Sequence, residues 1–182
     1  MPLTTYTAGE VLTAASLNAN LSFAASNTKI AQVVSTLKSD TFSTASTTYT
    51  DVTGLSVSIT PTLNTSKILI LAQFVTSISG DIQLASRLMR DAVAISIGDA
   101  ASNRTRASVA TYAVDGGGYS STMLNNNSIL FLDSPATTSA TTYKIQIFVN
   151  TGTGFINRAG VDTDLATKTR TASNITVMEV LA

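Results

Sequence analysis

The spacing of apolar residues changes near residue 30, and this change constrains the fold more than any other feature of the sequence. Before it, apolar residues recur every three or four positions, and after it they recur at every second position. A period of two is typical of a β-strand with one buried face, and residues 55–61 show it by alternating apolar residues with hydroxyls. The sequence therefore predicts an N-terminal segment, residues 1–30, followed by a β domain, residues 31–182.

Further segments of this kind follow at short intervals. Turn signals lie between them, among them Thr53-Gly54 and residues 125–127 and 152–154. We expect strands over residues 32–38, 55–59, 67–77, 84–89, 93–97, 107–114, 128–132, 143–149 and 175–181. Eight or nine short strands at this spacing predict a mainly β protein, an antiparallel sandwich or a barrel.

One predicted strand, residues 67–75, is apolar on both faces. A strand of an antiparallel sandwich normally shows one face to water, so a strand that is apolar on both faces predicts that something covers the second one. The simplest cover is another copy of the chain.

The N-terminal segment contains the one convincing helical pattern, over about residues 14–27, which Thr13 can cap. Its apolar residues form a seam at spacings of three and four, and Leu12 precedes them; the seam consists of Ala14, Leu17, Leu21 and Ala24. A helix this short is marginal alone in water and needs a partner. The partner is either the chain's own β domain or another chain, through docking or self-association into a trimer.

Composition excludes several classes of function. The chain has no His and no Cys, which removes Ser-His-Asp triads, thiol nucleophiles, disulfides and zinc sites built on His or Cys. Eleven basic residues balance eleven acidic ones, so the basic surplus of a nucleic-acid binder is missing. No apolar run approaches the roughly 20 residues that span a bilayer, and the first residues show no secretory signal. We expect no enzyme activity, no cofactor and no membrane insertion.

Only 12% of the residues are charged, yet all six arginines lie between residues 87 and 170, among several aspartates. Arg pairs well with carboxylates in partly buried positions, so this cluster predicts inter-strand or inter-subunit ion pairs. An anion or sugar-acid site on Arg104 and Arg106 is the alternative. The residues of the cluster are Arg87, Arg90, Asp91, Asp99, Arg104, Arg106, Arg158, Asp162, Asp164 and Arg170.

The close pair Asp162 and Asp164 permits two further interpretations. Their oxygens could hold a calcium ion, although the EF-hand pattern is absent. They could also act as the two carboxylates of a glycosidase, if a cleft separates them suitably. Both interpretations are less favoured than the structural one.

Residues 6–19, which contain the phrase G-x-x-L-T-A-x-x-L-N, resemble the N-terminus of tailed-bacteriophage tail fibres and virion appendages, where a short helix attaches the fibre to the particle. The remainder resembles a structural domain of marine and cyanobacterial phages. The resemblance implies a jelly-roll-like β-sandwich that forms a homotrimer and has no catalytic residues. The phrases that carry it are RLMRD at 87–91, IGDA at 97–100, RTRAS at 104–108, LDSPATT at 132–138, TYK at 142–144, INRAG at 156–160 and ITVMEV at 175–180.

The resulting hypothesis is a virion protein, assembled in the host cytoplasm and released on lysis. In it, a trimeric short tail fibre or tip docks on other tail or baseplate proteins by its N-terminus. Loops of the sandwich contact the host surface, where a glycan is the candidate ligand. A capsid decoration protein, either cement or head fibre, is the alternative, and a glycan depolymerase is less favoured. The expected receptor-contact loops contain Tyr112, Asp115, Tyr119, Asn125, Asn126 and Phe155.

Overall fold

The computed structural model describes residues 5–11, 13–26, 29–79, 82–113 and 122–181. It contains one helix, α1, which spans Ala14–Ser26, and eleven strands. The strands are β1 Ile30–Lys38, β2 Phe42–Thr44, β3 Thr50–Ile59, β4 Lys67–Ile78, β5 Ile82–Arg90, β6 Val93–Ile95, β7 Val109–Ala113, β8 Asn125–Asp133, β9 Thr141–Val149, β10 Gly154–Ile156 and β11 Ser173–Val180.

The strands form two antiparallel sheets packed as a sandwich. The first sheet has the order β1-β11-β4-β8, and the short strands β10 and β2 extend it along β4 beyond the end of β11. The second sheet has the order β3-β9-β5, and both β6 and β7 pair with the free edge of β5.

The order of the eight principal strands identifies the topology. Without β2, β6 and β10, the strands numbered along the chain lie in the order 1-8-3-6 in the first sheet and 2-7-4-5 in the second. This order is that of a jelly roll, which consists of two Greek keys. The predicted jelly-roll-like antiparallel β-sandwich with a short N-terminal helix is therefore confirmed.

The core lies between the sheets and follows from the alternation in the sequence. Every second residue of β4 faces inward, including Ile68, Ile70 and Phe74, and meets Leu84 and Leu88 from β5 in the second sheet. All five side chains are fully buried, and burial of a side chain of this size stabilises the fold by about 1.5–3 kcal/mol.

The sandwich has two distinct ends. At the helix end, β1 follows α1, β8 finishes beside the start of β4, and the Leu181 amide donates to the Lys29 carbonyl at 2.9 Å. At the opposite loop end, β4 finishes where β5 starts and β7 finishes where β8 starts. The polypeptide between β9 and β11, which includes β10, also belongs to the loop end.

Candidate functional site

The outer face of the first sheet carries apolar side chains where a sandwich normally carries polar ones. We call the outward side chains of β1, β11, β4 and β8 the apolar face. Leu130 is 71% exposed there, Leu132 is 47% exposed and Leu71 is 37% exposed. The sequence predicted that β4 would be apolar on both faces, and within the described chain this second face remains uncovered.

Strand register places these side chains in rows across the sheet. Of the rows that cross all four strands, the one nearest the helix end is entirely apolar, the next is half hydroxyl, and the third is mainly amide and hydroxyl. The three rows are Val33, Met178, Leu69 and Leu132; then Ser35, Thr176, Leu71 and Leu130; then Leu37, Asn174, Gln73 and Ser128.

A shallow cavity of about 370 Å³ lies on this face, where the apolar rows meet the amide row. Leu71, Leu130 and Met178 form its apolar side, and Gln73 and Asn174 form its polar side. The cavity has no charged lining residue among the described residues, so it fits an apolar or amide-bearing surface.

Charge is nearly absent from the whole face. Among the outward positions of these four strands that the structure describes, the only charged residue is Lys67, at the helix-end margin. Burying an unpaired charge is costly, so a face without charges can be covered at little electrostatic expense.

The outer face of the second sheet, which we call the charged face, has the opposite character. Asp51 accepts hydrogen bonds from Lys144 Nζ at 2.7 Å and from Gln146 Nε2 at 2.6 Å, and Arg87 Nε donates to Gln146 Oε1 at 2.8 Å. Burial opposes ionisation of Asp51, but the hydrogen bonds from Lys144 and Gln146 outweigh it and lower the pKa of the carboxyl.

The chain itself covers part of the charged face. The Tyr49 ring packs against Phe148, with 5.1 Å between ring centroids, and under the Arg87 guanidinium at 4.0 Å. The Tyr49 hydroxyl donates to the Arg106 carbonyl at 2.8 Å, which ties this ring to the loop before β7. Outward-facing Phe148 is therefore only 8% exposed.

Helix α1 is capped as predicted, because Thr13 Oγ1 accepts a hydrogen bond from the Ser16 amide at 3.1 Å. Leu17 is 43% exposed and Leu21 is 59% exposed, and Ala14 is also exposed. None of the helix side chains whose exposure is described is buried against the chain's own β domain. Leu12 lies outside the described residues, and so does the side chain of Ala24.

Of the ten clustered charges, Arg90 makes the most buried contact. Its Nη1 donates to both carboxylate oxygens of Asp133, at 2.9 and 3.0 Å, and the Tyr143 hydroxyl donates to Asp133 Oδ2 at 2.7 Å. Burial, together with the Asp133 carboxylate, raises the pKa of Tyr143. Because Asp133 lies on β8 and its two partners lie on β5 and β9, this group links the two sheets.

A second cluster forms around Asp162 at the loop end. Its Oδ2 lies 3.2 Å from Arg158 Nη1 and 2.7 Å from Arg170 Nη2. The Arg158 guanidinium also stacks over Phe155 at 4.3 Å. Two guanidinium groups thus neutralise this carboxylate, while Asp164 is exposed and forms no ion pair with a described residue. No group of three or more acidic side chains that could hold a metal ion occurs among the described residues.

The remaining charges of the cluster contact the backbone or solvent. Asp91 Oδ1 accepts a hydrogen bond from the Thr142 amide at 2.8 Å, and Arg106 Nε donates to the Gly98 carbonyl at 2.6 Å. Asp99 and Arg104 are exposed and form no ion pair with the described part of the chain. The structure therefore does not bring Arg104 and Arg106 together around an anion site.

Five of the six predicted loop contacts either belong to strands or lie outside the described residues. Tyr112 lies on β7 near the loop end and is 67% exposed, whereas Asp115 and Tyr119 lie outside the described residues. The assignment of Asn125 and Asn126 to a loop is wrong, because both belong to β8 and pair with Thr76 and Val75 of β4.

The assignment of Phe155 to a loop is also wrong, whereas its role as a receptor contact stays a prediction. Phe155 lies in β10 between β2 and β4, beneath the Arg158 guanidinium, and is only 7% exposed. A strand of three residues is too short to show an alternating pattern, so sequence analysis placed it in a loop.

Sequence reasoning missed two buried carboxylates, Asp133 and Glu179. Glu179 Oε1 accepts hydrogen bonds from the Thr62 amide and hydroxyl, both at 2.7 Å, and Oε2 accepts one from Gln32 Nε2 at 2.7 Å. Burial opposes its ionisation, but hydrogen bonds such as these outweigh burial and lower the pKa of Glu179 to about 2. Both acids occupy inward positions of strands whose residues alternate between buried and more exposed. An acid at such an inward position was the sequence signal that could have identified them.

Among the described residues, no helix has the length and apolar character needed to cross a membrane. No protein-family model matches the chain, and no curated protein matches it either.

The similar solved structures include several from infectious bursal disease virus. The structure of the Gt strain shares 14% identity, with a TM-score of 0.42, over 83% of this chain and 38% of that chain. The VP2 subviral particle shares 12% identity, with a TM-score of 0.39, over 83% of this chain and 37% of that chain. The chain therefore spans little more than a third of the length of these viral chains. Strand order, rather than this likeness, establishes the jelly roll.

Proposed function

We propose that this chain is a structural virion protein, a homotrimeric short tail fibre or tip that attaches through its N-terminal segment and contacts the host surface through its β-sandwich. The observation that carries the proposal is the placement of two uncovered apolar surfaces. The seam of α1 and the apolar row of the first sheet both lie toward the helix end, and the loop end points away from them.

Attachment and self-association belong to the helix end. An exposed helix of 13 residues gains stability by packing its Leu17 and Leu21 side chains against other helices. Three-fold symmetry brings three copies of this seam together, and the residues preceding the helix then stand at the base of the trimer, where they can dock on other virion proteins.

Recognition belongs to the loop end. Strands β4, β7 and β9 end there, and the exposed Tyr112 is the penultimate residue of β7. A tyrosine offers an apolar ring and a hydroxyl to a sugar, and rigid sandwiches use the segments between strands for binding. The proposed ligand is a host cell-surface glycan.

The proposed contact with glycan is binding without cleavage. The Asp162 carboxylate is held by Arg158 and Arg170, so it is not available as the acid or nucleophile of a glycosidase. Incubation of host glycan with the wild-type chain should release no reducing sugar. Release that disappears in the double variant Asp162→Asn, Asp164→Asn would establish a depolymerase instead.

Electron microscopy of the particle, with a gold label on this chain, tests the location. The proposal expects three copies per labelled appendage at the tail, with the label on the C-terminal domain farther from the tail than a label on the N-terminal segment. A label confined to the capsid would replace the tail appendage by a capsid decoration protein, the alternative from sequence analysis.

A further inference from the structure

We infer that three copies of the chain pack through the apolar face around a three-fold axis, with β1, β11, β4 and β8 running along that axis. This inference rests on the homotrimer of the proposed function and adds the surface that forms it. The occupants of the apolar face are therefore the other two copies of the same chain.

The dimensions of the sheet suit this arrangement. Four strands about 4.8 Å apart make a face about 19 Å wide, and three such faces enclose a triangular prism whose axis is about 5.5 Å from each sheet. Packed sheets lie about 10 Å apart, so side chains fill about 5 Å on each side. Three copies of the face can consequently fill the prism with their own side chains and leave no channel.

The rows of the face become layers of the prism. At the helix end, Val33, Met178, Leu69 and Leu132 from each copy form a layer with no polar side chain. In the next layer, the Ser35 and Thr176 hydroxyls already hydrogen-bond to each other at 2.8 Å. A hydroxyl with a partner can be buried at low cost, so this layer does not oppose association.

Charge distribution selects this face over the other one. Three-fold symmetry brings identical residues close together, so a charged side chain near the axis would meet two like charges. The apolar face has only Lys67, at its margin, among its described outward positions, whereas the charged face would place three copies of Arg87 and Lys144 together.

Helix α1 continues the same assembly. Helix α1 ends at Ser26 and β1 begins at Ile30. In each copy, the C-terminus of the helix therefore lies next to the edge strand of the apolar face, at the helix end. Leu17 and Leu21 are exposed in the single chain and can form a three-helix coil on the same axis. Two separate exposed apolar surfaces are thus covered by one symmetry operation.

The apolar face supplies part of the area that a stable trimer needs. A face about 19 Å wide and about eight residues long covers roughly 500 Å² in each copy, or on the order of 1,500 Å² in the trimer before the helices are counted. Divided among the three pairwise contacts, this is about 500 Å² per pair, whereas a specific interface is expected to exceed about 1,000 Å², so the helices must supply the remainder.

A charge placed on the face should prevent assembly. In the full chain, Leu132→Asp puts a carboxylate in the apolar layer, and Leu63→Asp is a matched control, since Leu132 is 47% exposed and Leu63 is 49% exposed but lies outside the face. At micromolar concentration, light scattering should report a monomer for Leu132→Asp and a trimer for wild type and Leu63→Asp, with the same β-rich circular dichroism spectrum for all three.

The outcomes separate this inference from the proposed function. If wild type and Leu132→Asp are both trimers of equal stability, the face is not the interface, although the trimer stands. If wild type is a monomer, both proposals fail. If Leu132→Asp is monomeric but has also lost the β-rich circular dichroism spectrum, the variant has unfolded. A second measurement then decides whether the apolar face is the interface.

That second measurement uses the absence of cysteine from the sequence, which makes any introduced cysteine unique. Thr176→Cys lies in the middle of the apolar face, and Ser58→Cys lies on the outer side of the second sheet. A short bismaleimide should join copies through position 176 and leave position 58 monomeric on a denaturing gel. Equal yields at both positions, or none at position 176, would overturn the inference.

Discussion

The two outer faces of the sandwich differ in what their side chains contact. On the charged face, Asp51, Lys144, Gln146 and Arg87 bond to one another, and Tyr49 from the same chain packs over them. On the apolar face, leucines on β4 and β8 stand exposed, and no described segment of the chain packs over them. One face is partly covered within a single chain, whereas the described residues leave the other uncovered.

This difference explains the unusual composition of the chain. A sandwich whose two faces both met solvent would need polar residues on both, whereas here 44% of residues are hydrophobic and only 12% are charged. Seven of the charged residues form ion pairs at the sheet ends and on the charged face. In the proposed trimer, association buries the remaining apolar surface.

The largest expected effect comes from Asp133, which supports both faces because it links the sheets. Asp133→Ala leaves the partly buried Arg90 guanidinium without its carboxylate and should lower the free energy of unfolding by about 3–5 kcal/mol. Chemical denaturation monitored by circular dichroism measures this change. A loss below about 1 kcal/mol would show that the sheets do not depend on this link.

Acid should weaken the first sheet through Glu179, which lies beneath the apolar face. Because the pKa of Glu179 is about 2 in the folded chain and 4.5 in its ordinary state, its contribution is complete above pH 4.5 and disappears as the pH falls towards 2. The shift corresponds to about 3 kcal/mol.

The variant Glu179→Gln isolates this contribution. It should be less stable than wild type at pH 7, and it should lack the component of stability that wild type loses between pH 4.5 and pH 2. The exposed Glu10 gives a matched control, and Glu10→Gln should follow the wild-type pH profile in denaturant unfolding. A wild-type profile that is flat over this range would contradict the account.

Several features of the fold were predictable from the sequence because they depend only on the spacing of apolar residues along the chain. Every second residue of β3, β4 and β11 faces the core, and the sequence shows this alternation. The sequence also shows that β4 has apolar residues on both faces. The helix pattern and its Thr13 cap were likewise visible, because both are local.

Other features depend on tertiary contacts and were not predictable. Thr53-Gly54 is a bulge within β3 rather than a turn, and Gly54 supplies its positive φ of 81°. Gly154 belongs to β10, where an added Cβ would lie 2.7 Å from Leu84 Cδ1, so glycine is required by close packing. The partner of Arg90 was missed because Asp133 and Arg90 are far apart in sequence and meet only across the sandwich.

The smallest expected effect comes from the charged face. Asp51 is about half exposed, so Asp51→Ala should lower the free energy of unfolding by no more than about 1 kcal/mol. This effect should shrink between about 0.1 M and about 1 M salt, as the Debye length falls from about 10 Å to about 3 Å. Association through the apolar face should not weaken over the same range of salt concentration. If salt instead dissociates the trimer, charged contacts hold it together and the contrast between the faces is wrong.

The central claim is that the apolar face is covered by copies of the same chain. Sedimentation equilibrium of the 182-residue chain between about 1 and about 50 μM tests it most directly, because a complex with a dissociation constant well below about 1 μM remains associated in this range. The account predicts a mass of about 57 kDa, three times the 18.9 kDa of one chain, at every concentration. A mass that stays at 18.9 kDa throughout would contradict it.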